Sequence, residues 1–88
     1  MIQQTSLNAF STLDLSRKET QKMKILNYLA MYNELTNLMI SKITGYPINV
    51  VTARIYELRQ EFKVQESKTA PCAITGKLAK YWRVKWKI

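Results

Sequence analysis

The hydrophobic period of this sequence changes once, at Phe62, and that change limits the folds open to it. Up to Phe62 the apolar residues recur at helical spacing. Ile25, Leu26, Leu29 and Tyr32 fall on one side of a helix, and Val51, Ile55, Leu58 and Phe62 step by four, three and four. Beyond Phe62 the spacing becomes two. Trp82, Val84, Trp86 and Ile88 alternate with Tyr81, Arg83, Lys85 and Lys87, the pattern of a strand with one covered face. Helices followed by a short strand pair must use the helices to cover one face of the strands.

Local signals divide the helical part. Ser16-Arg17-Lys18-Glu19 has the capping-box form and predicts a helix from there to about Tyr32, ended by Asn33-Glu34. Thr36 can cap a short second helix, residues 37–44, with Leu38, Met39 and Ile43 on its inner side. Gly45 can take the left-handed conformation that stops it, and Pro47 prevents its continuation. Asn49 then caps a third helix, about residues 50–62. Residues 64–69 and 78–88 read as strands, joined through the turn-forming Ala70-Pro71 and Thr75-Gly76-Lys77. The expected fold is mainly α with a small antiparallel β-hairpin: a three-helix winged helix-turn-helix domain over residues 16–88. Residues 1–15 are expected to form a partly ordered N-terminal arm, with Leu7, Ala9 and Phe10 able to dock.

With 88 residues the chain is long enough for one domain. Its charge is +8 and unevenly placed. Residues 1–62 carry seven basic and five acidic side chains; residues 63–88 carry seven basic and one acidic, Glu66. A basic block of this kind favours a polyanion, through attraction to phosphates and release of their counterions. Cys72 is the single cysteine and histidine is absent, so neither an internal disulfide nor the usual zinc ligand set is available. The acidic residues are scattered, and two glycines do not make a phosphate-cradling loop. No enzyme activity, cofactor or small-molecule substrate is therefore expected. No apolar run reaches the roughly 18–20 residues of a membrane span, and residues 1–10 lack the pattern of a secretory signal. The expected location is the cytoplasm, and the nucleoid when bound to DNA.

Two short helices joined by a tight glycine-containing turn make a helix-turn-helix. The major groove of B-DNA, about 12 Å wide, admits one helix; the first helix of the pair crosses the backbone while the second enters the groove. Residues 37–44 and 50–62 occupy those two places, and the hairpin after them is placed as a wing. The polar side of the third helix carries Asn49, Ala53, Tyr56 and Gln60, with Thr52 at its edge and Arg54 and Arg59 flanking the apolar stripe.

The sequence resembles the small winged helix-turn-helix proteins often encoded by phages and other mobile elements. Thr5-Ser6-x-x-Ala9-Phe10 resembles the opening segment of that family. Leu35-Thr36, with the run ending Ile43-Thr44-Gly45-Tyr46, resembles its second helix. Val51-Thr52-Ala53-Arg54-Ile55-Tyr56-Glu57-Leu58-Arg59 resembles its recognition helix, and Thr75-Gly76-Lys77-Leu78-Ala79-x-x-Trp82-Arg83-Val84 the end of its wing. The resemblance implies duplex DNA binding, as a transcriptional regulator or an accessory factor of a phage or mobile element, and no shared catalytic residue. The chain departs from the family at Phe62-Lys63, where a glycine often ends the recognition helix.

The residues expected at a DNA interface are Lys42, Asn49, Thr52, Ala53, Arg54, Tyr56, Lys68, Lys77 and Lys80. Asn can bond adenine twice, and Thr or Ala methyls can meet the thymine methyl; the lysines can hold phosphates. Each has a plainer reading. Asn49 can be occupied as a helix cap, Arg54 and Arg59 can pair with Glu57 or Glu61, and strand lysines can simply discourage unwanted pairing. Trp82 and Trp86 are expected in the core and Cys72 as a small apolar residue of the loop. A single module covers about 600–1,000 Å² of its surface on DNA, so a homodimer on a palindrome is one available form. The competing reading is a protein–protein interaction module with the same fold. A weaker one is a single-strand or RNA binder using Tyr81 and the tryptophans, which requires exposed rings.

Overall fold

Nothing in residues 2–32 breaks a helix: the first glycine is Gly45 and the first proline Pro47. The computed structural model describes the backbone of residues 2–86 and the side chains of residues 16–86, and it carries one helix, α1, through the whole of Ile2–Tyr32. The helix start expected at Ser16 is thereby corrected. A capping box starts a helix only where the preceding backbone is not already helical, and here Ser16 and Glu19 are interior to α1. The proposed docking of Leu7, Ala9 and Phe10 concerns side chains outside those described. At about 46 Å, a helix of this length accounts for most of the 54 Å long dimension. Asn33, at φ 72°, ends α1 in the left-handed region that Asn tolerates.

Leu35–Thr36 follow as a two-residue strand, β1. Thr36 then caps α2, Asn37–Thr44: its Oγ1 accepts from the Met39 amide at 3.1 Å. Gly45 closes α2 at φ 80° with its amide on the Ser41 carbonyl, as its sequence position predicts. Hydroxyls wire the turn that follows. Ser41 Oγ donates to the Tyr46 carbonyl at 2.6 Å, and the Tyr46 amide donates to Thr44 Oγ1 at 3.2 Å. The third helix, α3, spans Ile48–Gln60 with Pro47 as its N-cap. The Pro47 carbonyl accepts from the amides of Val50 and Val51. Asn49 is therefore not the cap but an exposed residue of the first turn.

The end of α3 is a Schellman motif. The Lys63 amide reaches the Leu58 carbonyl and the Phe62 amide the Arg59 carbonyl, which forces Phe62 to φ 60°. That is the position where the resembling family often has glycine. A bulky side chain there costs roughly 1–2 kcal/mol, and the Phe62 ring is 72 % exposed instead of extending the apolar stripe. Phe62→Gly is expected to raise stability by about 0.5–1 kcal/mol, after allowing for the exposed contact of Lys85 Nζ with the ring at 4.9 Å. A thermal melt checks this; a lower midpoint would mean that the ring contact outweighs the strain.

Strands β2, Val64–Pro71, and β3, Leu78–Val84, form the expected hairpin, with β3 ending four residues before residue 88. The sheet has a third member. β1 pairs antiparallel with β3, Leu35 opposite Trp82 and Thr36 opposite Tyr81, giving the order β1-β3-β2. A bulge lies between Glu66 and Lys68. The core joins Ile25, Leu26 and Leu29 of α1, Leu35, Ile40 of α2, Val51, Ile55 and Leu58 of α3, and Val64, Trp82 and Val84 of the sheet. Two expectations change here. Tyr32 is exposed and stacks on Tyr28, and Ile40, not Leu38 or Ile43, is the buried residue of α2. Three helices and a three-stranded antiparallel sheet are compatible with the layout expected. Among the described residues no helix is long and apolar enough to cross a membrane.

Candidate nucleic-acid interface

Helix α3 divides its side chains cleanly. Val51, Arg54, Ile55 and Leu58 are buried, whereas Asn49, Thr52, Tyr56 and Gln60 face solvent and Ala53 is half-buried. The outward residues therefore share the side that helical geometry predicts. Tyr56 is 60 % exposed, without a hydrogen-bond partner among the described residues. Thr52 is more constrained: its hydroxyl donates to the Ile48 carbonyl at 2.9 Å and lies 3.5 Å from Asn37 Nδ2 of α2. Its methyl group is what remains for an apolar contact. Lys42, in the last turn of α2, is exposed and has no ion-pair partner among the described residues.

Arg54 is placed elsewhere. It is 8 % exposed, with Nη1 donating to Gln21 Oε1 of α1 at 3.0 Å and Nη2 to Glu57 Oε2 at 2.8 Å. The expectation of a DNA contact at Arg54 is corrected: on α3 it borders the core stripe, where α1 covers it. Beside it stands a group that sequence reasoning missed. Lys22 of α1 is buried, 2.6 Å from Glu61 Oε2, 3.1 Å from Glu19 Oε2 and 3.7 Å from Glu57 Oε1. Three carboxylates that look scattered along the chain thus converge on one ammonium and lock α1 to α3. Glu19 and Lys22 are an i,i+3 pair within α1, but nothing in either helix marks their meeting with Glu57 and Glu61, which only the packing of the two faces creates.

The hairpin cations differ among themselves. Lys68 Nζ lies 3.6 Å from Glu34 Oε1 and 5.1 Å from the centre of the Tyr81 ring. Lys80 Nζ lies 3.8 Å from Glu66 Oε1. Lys77, in the turn, is exposed and has no ion-pair partner among the described residues. Arg59 lays its guanidinium 5.0 Å from the Trp82 ring centre. Trp82 is in the core as expected, but Trp86 is exposed because the strand has already ended at Val84. Tyr81 is buried, its hydroxyl donating to the Pro71 carbonyl at 2.8 Å. Of the rings that a single-strand platform would use, only Trp86 is presented. Ile88 and Lys87 lie outside the described residues.

Two carboxyls sit below the usual carboxylate range. The hydrogen bond from Ser67 lowers Glu34, with Lys68 adding to it, and the hydrogen bond from Lys22 lowers Glu61. The same pair raises the Lys22 ammonium. A carboxyl lowered in the folded state stabilises it in full above its unfolded value, near 4.3, and that contribution is lost as pH falls through the folded value. A raised lysine contributes fully below its unfolded value and loses this only at strongly alkaline pH. Stability is therefore expected to fall as the pH drops below about 5. Lys22→Met should flatten this acid limb in urea melts; an unchanged limb would remove Glu61 as a source. The Cys72 thiol is also lowered, chiefly by the Thr36 hydroxyl and then by the Ile74 backbone, although it is buried. Among the described residues no group of three His, Cys, Asp or Glu side chains is placed to hold a metal ion. Comparison with protein-family models and with curated proteins gives no match to this chain.

Proposed function

We propose that the protein is a winged helix-turn-helix binder of double-stranded DNA, with α3 in the major groove and the basic hairpin along the backbone. The observation that carries the reading is the outward face of α3. Asn49, Thr52 and Tyr56 stand exposed there, next to a second helix whose Lys42 is unpaired among the described residues. A helix with its side chains is about 10–12 Å across, the width of the major groove. The hairpin adds an excess of six positive charges, which suits phosphate contact. Within this reading the base-facing residues are Asn49, Thr52, Ala53 and Tyr56, and the phosphate-facing ones Lys42, Lys77 and, less freely, Lys68 and Lys80. The family resemblance supports a role as a transcriptional regulator or an accessory factor of a phage or mobile element.

The test is a fluorescence-anisotropy titration of duplex DNA at several salt concentrations, with single-stranded competitor. Duplex binding that weakens steeply with salt is expected. Tyr56→Ala should lower the discrimination between selected and random duplexes by about 1–3 kcal/mol, the usual span of a base contact, and leave the salt slope unchanged. Absence of duplex binding at low salt would turn the fold into a protein-docking module.

A further inference from the structure

The turn of the hairpin combines two properties. It is closed and anchored by hydrogen bonds, and it is apolar. Cys72 donates its amide to the Lys77 carbonyl at 2.8 Å, the Gly76 amide returns to the Cys72 carbonyl at 2.7 Å, and the Lys77 amide is held by Thr75 Oγ1 at 3.2 Å. Cys72 is itself buried, with Sγ 3.2 Å from Oγ1 of Thr36, the residue that caps α2. Tyr81 grips the Pro71 carbonyl from β3. The turn is thus bolted to the start of α2. Yet Leu78 is 73 % exposed and Ile74 44 % exposed, and Pro71, directly opposite Leu78 in the hairpin, is exposed too. None of the three belongs to the core. They flank Lys77 in the sequence, in the part of the chain with the greatest excess of positive charge.

We infer that this turn is a wedge for the minor groove, in which Leu78 and Ile74 press against a base step and bend the duplex while Lys77 holds a flanking phosphate. The inference rests on the duplex-binding reading. Leu, Ile and Pro are among the side chains that unstack base steps from the minor groove, and the resulting kinks are about 20–90°. Anchoring matters because a wedge that yields cannot transmit its contact energy into the DNA. Lys77 within the turn and the excess of six positive charges over residues 63–88 favour an anionic surface over an apolar protein surface as its occupant. Pyrimidine–purine steps deform most easily, so the wedge adds a preference for TA or CA at a position that α3 does not touch.

The experiment uses the full chain and duplexes well below the persistence length of about 150 base pairs. They carry a fluorophore pair at their ends and 2-aminopurine beside a TA step. Saturating wild-type protein is expected to raise end-to-end energy transfer and the 2-aminopurine emission together. At protein concentrations that saturate the duplex, Leu78→Ser with Ile74→Ser should lose most of both signals; as both side chains are exposed, the melting midpoint should not move. Wild-type binding without either signal, or signals unchanged in the double variant, would overturn the wedge and leave duplex binding standing. Self-association abolished by the double variant would make the turn a contact between copies instead. No binding of any duplex at low salt would remove the duplex reading itself, and the wedge with it.

Discussion

Arg54→Ala is expected to lower the unfolding free energy by about 2 kcal/mol, a fall in melting temperature of roughly 8–16 °C for a domain of this size. The guanidinium is buried and donates to Gln21 on α1 and to Glu57 on its own helix. Removing it takes away two charge-assisted hydrogen bonds and leaves a cavity between the helices. The loss stays below the 3–5 kcal/mol of a fully buried pair, because Glu57 is partly exposed and retains Lys22 at 3.7 Å. On the duplex-binding reading, affinity for duplex should lie within about twofold of wild type below the new midpoint. The opposite result, an unchanged melt with affinity lost, would return Arg54 to the DNA interface.

Arg54 shows where reading the sequence stops. Its neighbours Val51, Ile55 and Leu58 are legible as core, since a period of 3.6 needs only local spacing. Thr36, Gly45 and the change of period at Phe62 are equally local, and each does in the structure what its chemistry suggests. Arg54 lies at the border of the stripe, and its fate is decided by Gln21, thirty-three residues away on another helix. The approach of Glu57 and Glu61 to Lys22 has the same origin, as does β1, whose two residues are too short to show a period and exist as a strand only through β3. Asn49 fails for a different reason. It is a good cap residue, but Pro47, two positions earlier, offers a carbonyl and a fixed φ that begin the helix first. The departure at Phe62 was visible from residue identity alone; its consequence, an aromatic side chain held at positive φ in full view of solvent, required the backbone.

The same distinction reorders the proposed phosphate contacts. By charge, Lys42, Lys68, Lys77 and Lys80 are equivalent. In the fold, Lys68 is shared with Glu34 and Lys80 with Glu66, and each would have to leave or share its carboxylate to meet a phosphate. Exposed pairs of this kind are worth only about 0–1 kcal/mol, so they attenuate a contact without forbidding it. Lys42 and Lys77 have no such competitor among the described residues. On the duplex-binding reading, each full contact adds about 0.9 to the slope of log affinity against log salt, which corresponds to about eightfold in affinity at 0.1 M salt. Lys42→Ala with Lys77→Ala is therefore expected to weaken binding to every duplex by about 60-fold at that salt and make the slope shallower by about 1.8. Lys68→Ala with Lys80→Ala should do clearly less. Glu66→Gln, which releases Lys80, should move the slope the other way. Salt-dependent titrations of the three variants separate these cases: equal losses in the two double variants would mean that the ion pairs do not restrain the hairpin. An unchanged slope in the Lys42 and Lys77 variant would take both residues off the DNA backbone and with them the proposed docking of α2 and the hairpin.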